Sequence, residues 1–155
     1  MLKVIALGNT LRGDDGIGPA VIDTLRELSA PDLRLIDLGG DALDLLDHLQ
    51  GSEPILLVDC AKMGLQPGEI RRLNVERDQL NRLDQIISLH GLSFPEIYRL
   101  AVGLGPVPPC RLIGVEPASI EFGRDLSPEV KASIPSVIQL VFEEMHLYEE
   151  KNNYH

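Results

Sequence analysis

Two adjacent carboxylates stand in a glycine-rich stretch near the start of the chain. Residues 8–18 read GNTLRGDDGIG, in which glycines permitting tight turns flank the acid pair Asp14 and Asp15. An apolar run precedes the stretch and an amphipathic segment follows it, an order that predicts strand, turn and helix at the start of a βαβ unit. Because the carboxyl end of such a strand faces the binding crevice of an α/β sheet, the acid pair is placed to hold a cation or to transfer protons.

Two other uses of this stretch remain open. A glycine loop can bind a nucleotide, but the spacing matches neither G-x-G-x-x-G nor G-K-[ST]. Two carboxylates would also repel a phosphate unless a cation lay between them. The acids could instead cap the following helix, and Asp14 is the better candidate because one turn needs only one cap.

A second acidic residue follows a buried strand. The run 55–58 reads ILLV, which is apolar throughout and predicts a central strand covered on both faces. Asp59 comes directly after this run. If the strand order is 2-1-3, the residues that follow strands one and three meet at a topological switch point. Asp15 and Asp59 would then line one crevice.

The third candidate is His90. It precedes a capping box at residues 93–96, SFPE, which predicts the start of a helix. The positive end of that helix disfavours imidazolium, and neutral imidazole suits metal binding or proton transfer. A loop histidine bonded to nearby backbone is the alternative. Two carboxylates and one imidazole with open positions suit a borderline divalent metal such as nickel, zinc or manganese.

The surrounding pattern predicts one α/β domain over residues 1–155. Strands are expected at residues 2–7, 33–38, 55–58, 69–73 and 111–115, with helical segments between them and at the C-terminus. The prediction is a three-layer sandwich: a mostly parallel, five-stranded twisted sheet with helices on both faces. Pro135 is expected to kink the C-terminal helical region or to split it into two helices.

Charge and composition limit the classes of partner and the cellular compartment that we expect for this protein. A net charge of -10 disfavours nucleic acid and anionic membrane surfaces as partners. No apolar run is long enough to cross a membrane, and the first residues lack the pattern of a signal peptide. Cys60 and Cys110 are isolated, which predicts reduced, buried thiols in a cytoplasmic protein.

Several motifs together resemble the hydrogenase maturation endopeptidases. They are residues 8–18, Gly39-Gly40, Val58-Asp59, Ser88-Leu89-His90 and Ile113-Gly114-Val115-Glu116-Pro117, and they occur in that family's order across essentially the whole chain. The resemblance implies removal of a C-terminal extension from the large-subunit precursor of a nickel–iron hydrogenase, after nickel insertion. It also implies that Asp15, Asp59 and His90 contact the metal and carry catalysis. Nickel is expected to travel with the substrate. Some family members carry Glu at the place of Asp15.

The chemistry of these three residues stays open at this point. The metal could polarise the scissile carbonyl or activate water, with Asp15 or Asp59 as the base. No Ser–His–Asp arrangement is visible, and Asp59 beside Cys60 would raise the pKa of that thiol and weaken it as a nucleophile. The alternative functions are a non-catalytic metal or small-molecule binding module on a flavodoxin-like sheet, and a nucleotide binder.

Overall fold

A computed structural model of the chain describes residues 1–39, 42–75 and 94–153, in which five strands form one sheet. The strands are β1 (Leu2–Ala6), β2 (Leu33–Asp37), β3 (Ile55–Cys60), β4 (Ile70–Asn74) and β5 (Cys110–Val115). Their order is β2-β1-β3-β5-β4, and only the β4–β5 pairing in it is antiparallel. The predicted mostly parallel sheet and the 2-1-3 order around the first strand are confirmed.

Helices cover both faces of this sheet, because apolar side chains alternate along its inner strands. The described helices are α1 (Ile17–Leu28), α2 (Leu45–His48), α3 (Phe94–Leu104) and α4 (Pro128–Asn153), with 3-10 helices at Gly13–Gly16 and Ala42–Asp44. In β1, Val4 and Ala6 belong to the core that includes α1 and α4. Ile5 belongs to the second core, which includes α2 and α3. The predicted three-layer sandwich is therefore confirmed.

The C-terminal helix is longer than its sequence suggests. α4 is one α-helix that contains Pro135, so of the two predicted outcomes, a kink or a split into two helices, the split is wrong. A proline inside a helix removes one backbone hydrogen bond and costs about 3 kcal/mol. Val130, Val137 and Val141 lie on both sides of it, and all three are buried in the same core. Burial of the whole stripe, at roughly 1.5–3 kcal/mol for each large apolar side chain, offsets that loss.

The third strand extends beyond its apolar run. Asp59 and Cys60 are part of β3 and pair with Gly114 and Val115 of β5. Asp59 is therefore held by the sheet ladder, whereas its sequence position suggested a residue after the strand. None of the described helices is long and apolar enough to cross a membrane.

Some sequence predictions fall outside the described residues. They are the candidate site residue His90, with Ser88 and Leu89 of its motif, Gly40 of the Gly39-Gly40 motif, and Ser93, the first position of the capping box.

Candidate active site

The glycine stretch folds back onto the end of β1. Gly8 has φ +135°, and a Cβ at that position would collide with the carbonyl oxygen of Asp15. A Cβ at Gly18 would lie 2.6 Å from the Leu7 carbonyl oxygen and 2.8 Å from that of Val58. Glycine at these two positions lets the start of α1 press directly against the ends of β1 and β3.

Asp15 lies in the 3-10 helix that leads into α1, and its side chain is fully buried. Its Oδ2 accepts a hydrogen bond from the Asn9 N–H at 2.9 Å. Its own N–H donates to the Arg12 carbonyl at 3.1 Å, and the Asn9 Oδ1 accepts from the Leu11 N–H at 2.9 Å. The turn therefore holds this carboxylate at a defined position.

Asp59 lies, like the turn that carries Asp15, at the carboxyl ends of the central strands. The register pairs Ala6 with Val58, so Asp59 lies one residue beyond the last paired residue of β1 in this ladder. Asp59 is 9% exposed, and its Oδ1 accepts a hydrogen bond from the Cys60 N–H at 2.7 Å. Parallel strands thus deliver Asp59 and the loop that carries Asp15 to the switch point between β1 and β3.

The pKa of the Cys60 thiol reflects the negative charge around the end of β3. Burial raises the pKa of the Cys60 thiol, and the negative charges of Asp59, Asp15, Asp14 and Glu116 raise that pKa further. The thiol stays protonated at neutral pH and does not act as a nucleophile. The pKa effect of Asp59 expected from the sequence is confirmed, although burial is the larger cause. The other thiol, Cys110, has its pKa raised to about 12 by burial.

Asp14 makes contacts of a different kind from those of Asp15. Only 1% exposed, it accepts hydrogen bonds from the N–H groups of Ala118 (2.8 Å), Ser119 (3.1 Å) and Ser127 (2.6 Å), and from the Ser127 hydroxyl (2.9 Å). The Ser127 Oγ in turn accepts from the Val130 N–H at 3.3 Å, at the start of α4.

Asp14 therefore ties the glycine loop to the loop after β5 and to the first turn of α4. Neither the 3-10 helix nor α1 has a side-chain cap hydrogen bond. The four contacts of Asp14 all go to this other part of the chain, so Asp14, the better candidate for a cap, does not cap the helix that follows it.

Sequence reasoning gave no role to Glu116, which directly follows β5. It is 6% exposed, and its Oε1 accepts from the N–H groups of Met63 (2.7 Å) and Leu65 (2.9 Å). The same sequence pattern applies to Glu116 as to Asp59, because both acids directly follow an apolar strand. A depression of about 310 Å³ lies beside it, lined by Lys62, Gly64 and residues 116–120.

The structure brings two of the three predicted site residues to one edge of the sheet. Among the described residues, no group of three or more His, Cys, Asp and Glu side chains could hold a metal ion. His90 lies outside those residues, so the full set of Asp15, Asp59 and His90 stays a prediction. The donor chemistry of Asp15 and Asp59 fits a cation, because carboxylate oxygens and an imidazole nitrogen are ordinary ligands of divalent metals.

Comparison with known proteins gives consistent findings. A family model described as hydrogenase maturation protease matches residues 19–144. The hydrogenase expression/formation protein HupD of Thiocapsa roseopersicina is 32% identical over 148 residues, which cover 92% of this chain and 66% of that protein. The chain thus spans about two thirds of the length of this relative.

Solved structures are similar over almost the whole chain. The [NiFe] hydrogenase maturation protease HybD of Thermococcus kodakarensis superposes with a TM-score of 0.76 at 26% identity, covering 93% of this chain and 98% of that one. The hydrogenase maturating endopeptidase HybD of E. coli gives a TM-score of 0.82 at 23% identity, covering 95% and 93%. At that identity, the E. coli protein supports the fold alone.

Proposed function

Because the chain belongs to the hydrogenase maturation protease family, we propose that it removes a C-terminal extension from the large-subunit precursor of a nickel–iron hydrogenase after nickel insertion. The observation that carries this proposal is the pair of carboxylates at the switch point. Asp15 is fixed by the glycine turn and Asp59 by the sheet ladder. A pair held in this way can position one substrate group with little reorganisation.

Nickel enters this proposal as part of the substrate. Two carboxylates and one imidazole, Asp15, Asp59 and His90, make an incomplete ligand set, and such a set binds weakly until other ligands join it. Thiolates of the precursor would supply the soft ligands. The negative charge around the end of β3, which also raises the pKa of Cys60, favours the approach of a cation.

The two carboxylates have different access to water. Asp59 keeps some exposure and Asp15 has none. We assign to Asp59 the acceptance of a proton from the attacking water, since a base must reach the proton that it takes. Asp15 then orients the nickel-bearing segment, and neither cysteine of this chain takes part, because burial raises the pKa of both thiols. The peptidase is in that sense of the aspartyl type.

The two free, buried cysteines are typical of a reducing compartment, and we place the protein in the cytoplasm with its precursor.

The test is the mass of a large-subunit precursor before and after incubation with this protein. Nickel-loaded precursor should lose its C-terminal extension, while apo precursor should keep it, and Asp59→Asn enzyme should cleave neither. Metal analysis of the purified enzyme should find little nickel. Equal cleavage of the two precursor forms would remove nickel as the signal. No cleavage of either form would favour the non-catalytic binding module instead.

A further inference from the structure

Two large apolar side chains stand exposed next to the candidate site. Leu11 is 66% exposed on the glycine loop, and Phe122 is 72% exposed on the loop after β5. The guanidinium of Arg12 lies over the Phe122 ring, 5.2 Å from its centroid. These three residues are called the docking rim below. Exposed apolar surface that adjoins a crevice is characteristic of interaction sites.

Backbone hydrogen bonds join the two loops that carry the docking rim. The Gly123 N–H donates to the Leu11 carbonyl at 2.9 Å, and the Gly13 N–H donates to the Arg124 carbonyl at 3.0 Å. The side chain of Asp14 adds its contacts to Ala118, Ser119 and Ser127. The rim is therefore held in place before any partner arrives, which lowers the entropy lost on binding.

The position of the docking rim indicates what covers it. The loop that carries Phe122 also supplies residues 116–120 to the depression beside Glu116. The loop that carries Leu11 leads through Asp14 to Asp15. Leu11 lies four residues before Asp15, so their Cα atoms are at most about 14 Å apart, a distance that four or five extended residues of a bound peptide can span. The net charge of -10 repels acidic segments, whereas Leu11 and Phe122 gain affinity by burying apolar surface, so the segment that suits the rim is apolar.

We propose that the docking rim of Leu11, Arg12 and Phe122 binds an apolar segment of the large-subunit precursor beside the scissile bond, an inference that rests on the function proposed above. An apolar side chain of the precursor packs on the open face of Phe122 and against Leu11. Arg12 keeps the ring oriented by its cation–π contact.

The experiment measures KM and kcat for nickel-loaded precursor with Phe122→Ala and Leu11→Ala enzymes. The matched control is Leu28→Ala, which removes another exposed leucine, 53% exposed, at the far end of α1. That helix of 12 residues places the control about 18 Å from the start of α1. Phe122→Ala should raise KM about tenfold with kcat nearly unchanged, as for an interface anchor, and Leu28→Ala should match the wild type.

Other outcomes separate this inference from the proposed function. If wild-type enzyme cleaves, Asp59→Asn does not, and Phe122→Ala behaves like Leu28→Ala, the docking inference is wrong and the endopeptidase function stands. A loss of kcat with unchanged KM overturns the inference too. So does sedimentation showing a dimer that Phe122→Ala abolishes, since a second copy would then occupy the rim. If the wild type cleaves nothing, both proposals fail.

Discussion

At the residue scale, Asp14 and Asp15 are adjacent in sequence but hold different parts of the protein. Asp14 accepts four hydrogen bonds from the loop after β5 and from the start of α4. The carboxylate of Asp15 accepts a hydrogen bond from its own turn, and its charge adds to that of Asp59 near Cys60. Loss of activity after substitution of Asp14 would therefore come from displaced loops. Loss of activity after substitution of Asp15 would come from the proposed site itself.

We expect Asp15→Asn, Asp59→Asn and His90→Ala each to reduce processing by a factor of roughly 10² to 10⁴, the range for loss of a positioned acid or base. Asparagine keeps the shape of the side chain and can still accept the Asn9 N–H, so the fold should survive Asp15→Asn even though Asp15 is buried. Mass spectrometry of the precursor gives the activity, and circular dichroism melts give the stability.

Asp23→Asn is the control for these variants, because Asp23 lies on the exposed side of α1, where it forms a surface ion pair with Arg26. It should process precursor at the wild-type rate. Full activity in His90→Ala enzyme would remove that residue from the site and leave the two carboxylates alone.

At the element scale, one carboxylate joins the glycine loop to two neighbouring segments that come more than 100 residues later in the chain. The sequence separations between Asp14 and its partners run from 104 to 113 residues. The glycine loop, the loop after β5 and the N-terminus of α4 are thereby fixed relative to one another. Position and rigidity of the proposed site depend on this junction as much as on the sheet.

Asp14→Ala should destabilise the protein by roughly 3 kcal/mol, because it leaves several buried N–H donors without their acceptor. For a chain of this size, that corresponds to a fall in Tm of roughly 6 to 12 °C. Urea unfolding and thermal melts would measure it. Asp23→Ala, which removes an exposed carboxylate, should change Tm by no more than a degree or two. Equal Tm values for the two variants would contradict the assigned role of Asp14.

At the scale of the whole molecule, the buried thiols make stability sensitive to alkaline pH. Folding raises the pKa of Cys60 and of Cys110 above the ordinary thiol value of 9.0, in the latter case to about 12. Above pH 9 the unfolded chain loses thiol protons that the folded chain retains. The stability contributed by the protonated thiols is therefore complete below pH 9 and is lost as the pH rises toward the folded values.

Each of these thiols should lower the free energy of unfolding by about 1.4 kcal/mol per pH unit above pH 9. Urea titrations at pH 8 and pH 10 would measure the slope. The double variant Cys60→Ala/Cys110→Ala should be less stable at pH 8 and should lose less stability between the two pH values than the wild type does. Parallel pH profiles for the two proteins would show that the thiols ionise in the folded state.

The sequence by itself determined the layers, the central strands and the switch point. The apolar pattern and the length of each segment decide which segments become strands and helices. Gly8 marks a turn of the chain, and Gly18 marks close packing of α1 against the sheet. The same local signals select Asp15 and Asp59 as candidates, since an acid in a glycine stretch and an acid after an apolar run are both visible without a structure. His90 rests on sequence alone.

Only the tertiary structure decided what each buried acid contacts. The sequence favoured Asp14 as a cap of the following helix, but its partners come from the loop after β5 and from Ser127, the residue before α4. Glu116 likewise binds a loop that follows a different strand. Pro135 remains inside one helix because burial on both sides of it outweighs one missing hydrogen bond. These outcomes depend on contacts between distant segments, and local patterns of the sequence carry no information about which distant donor will reach a given carboxylate.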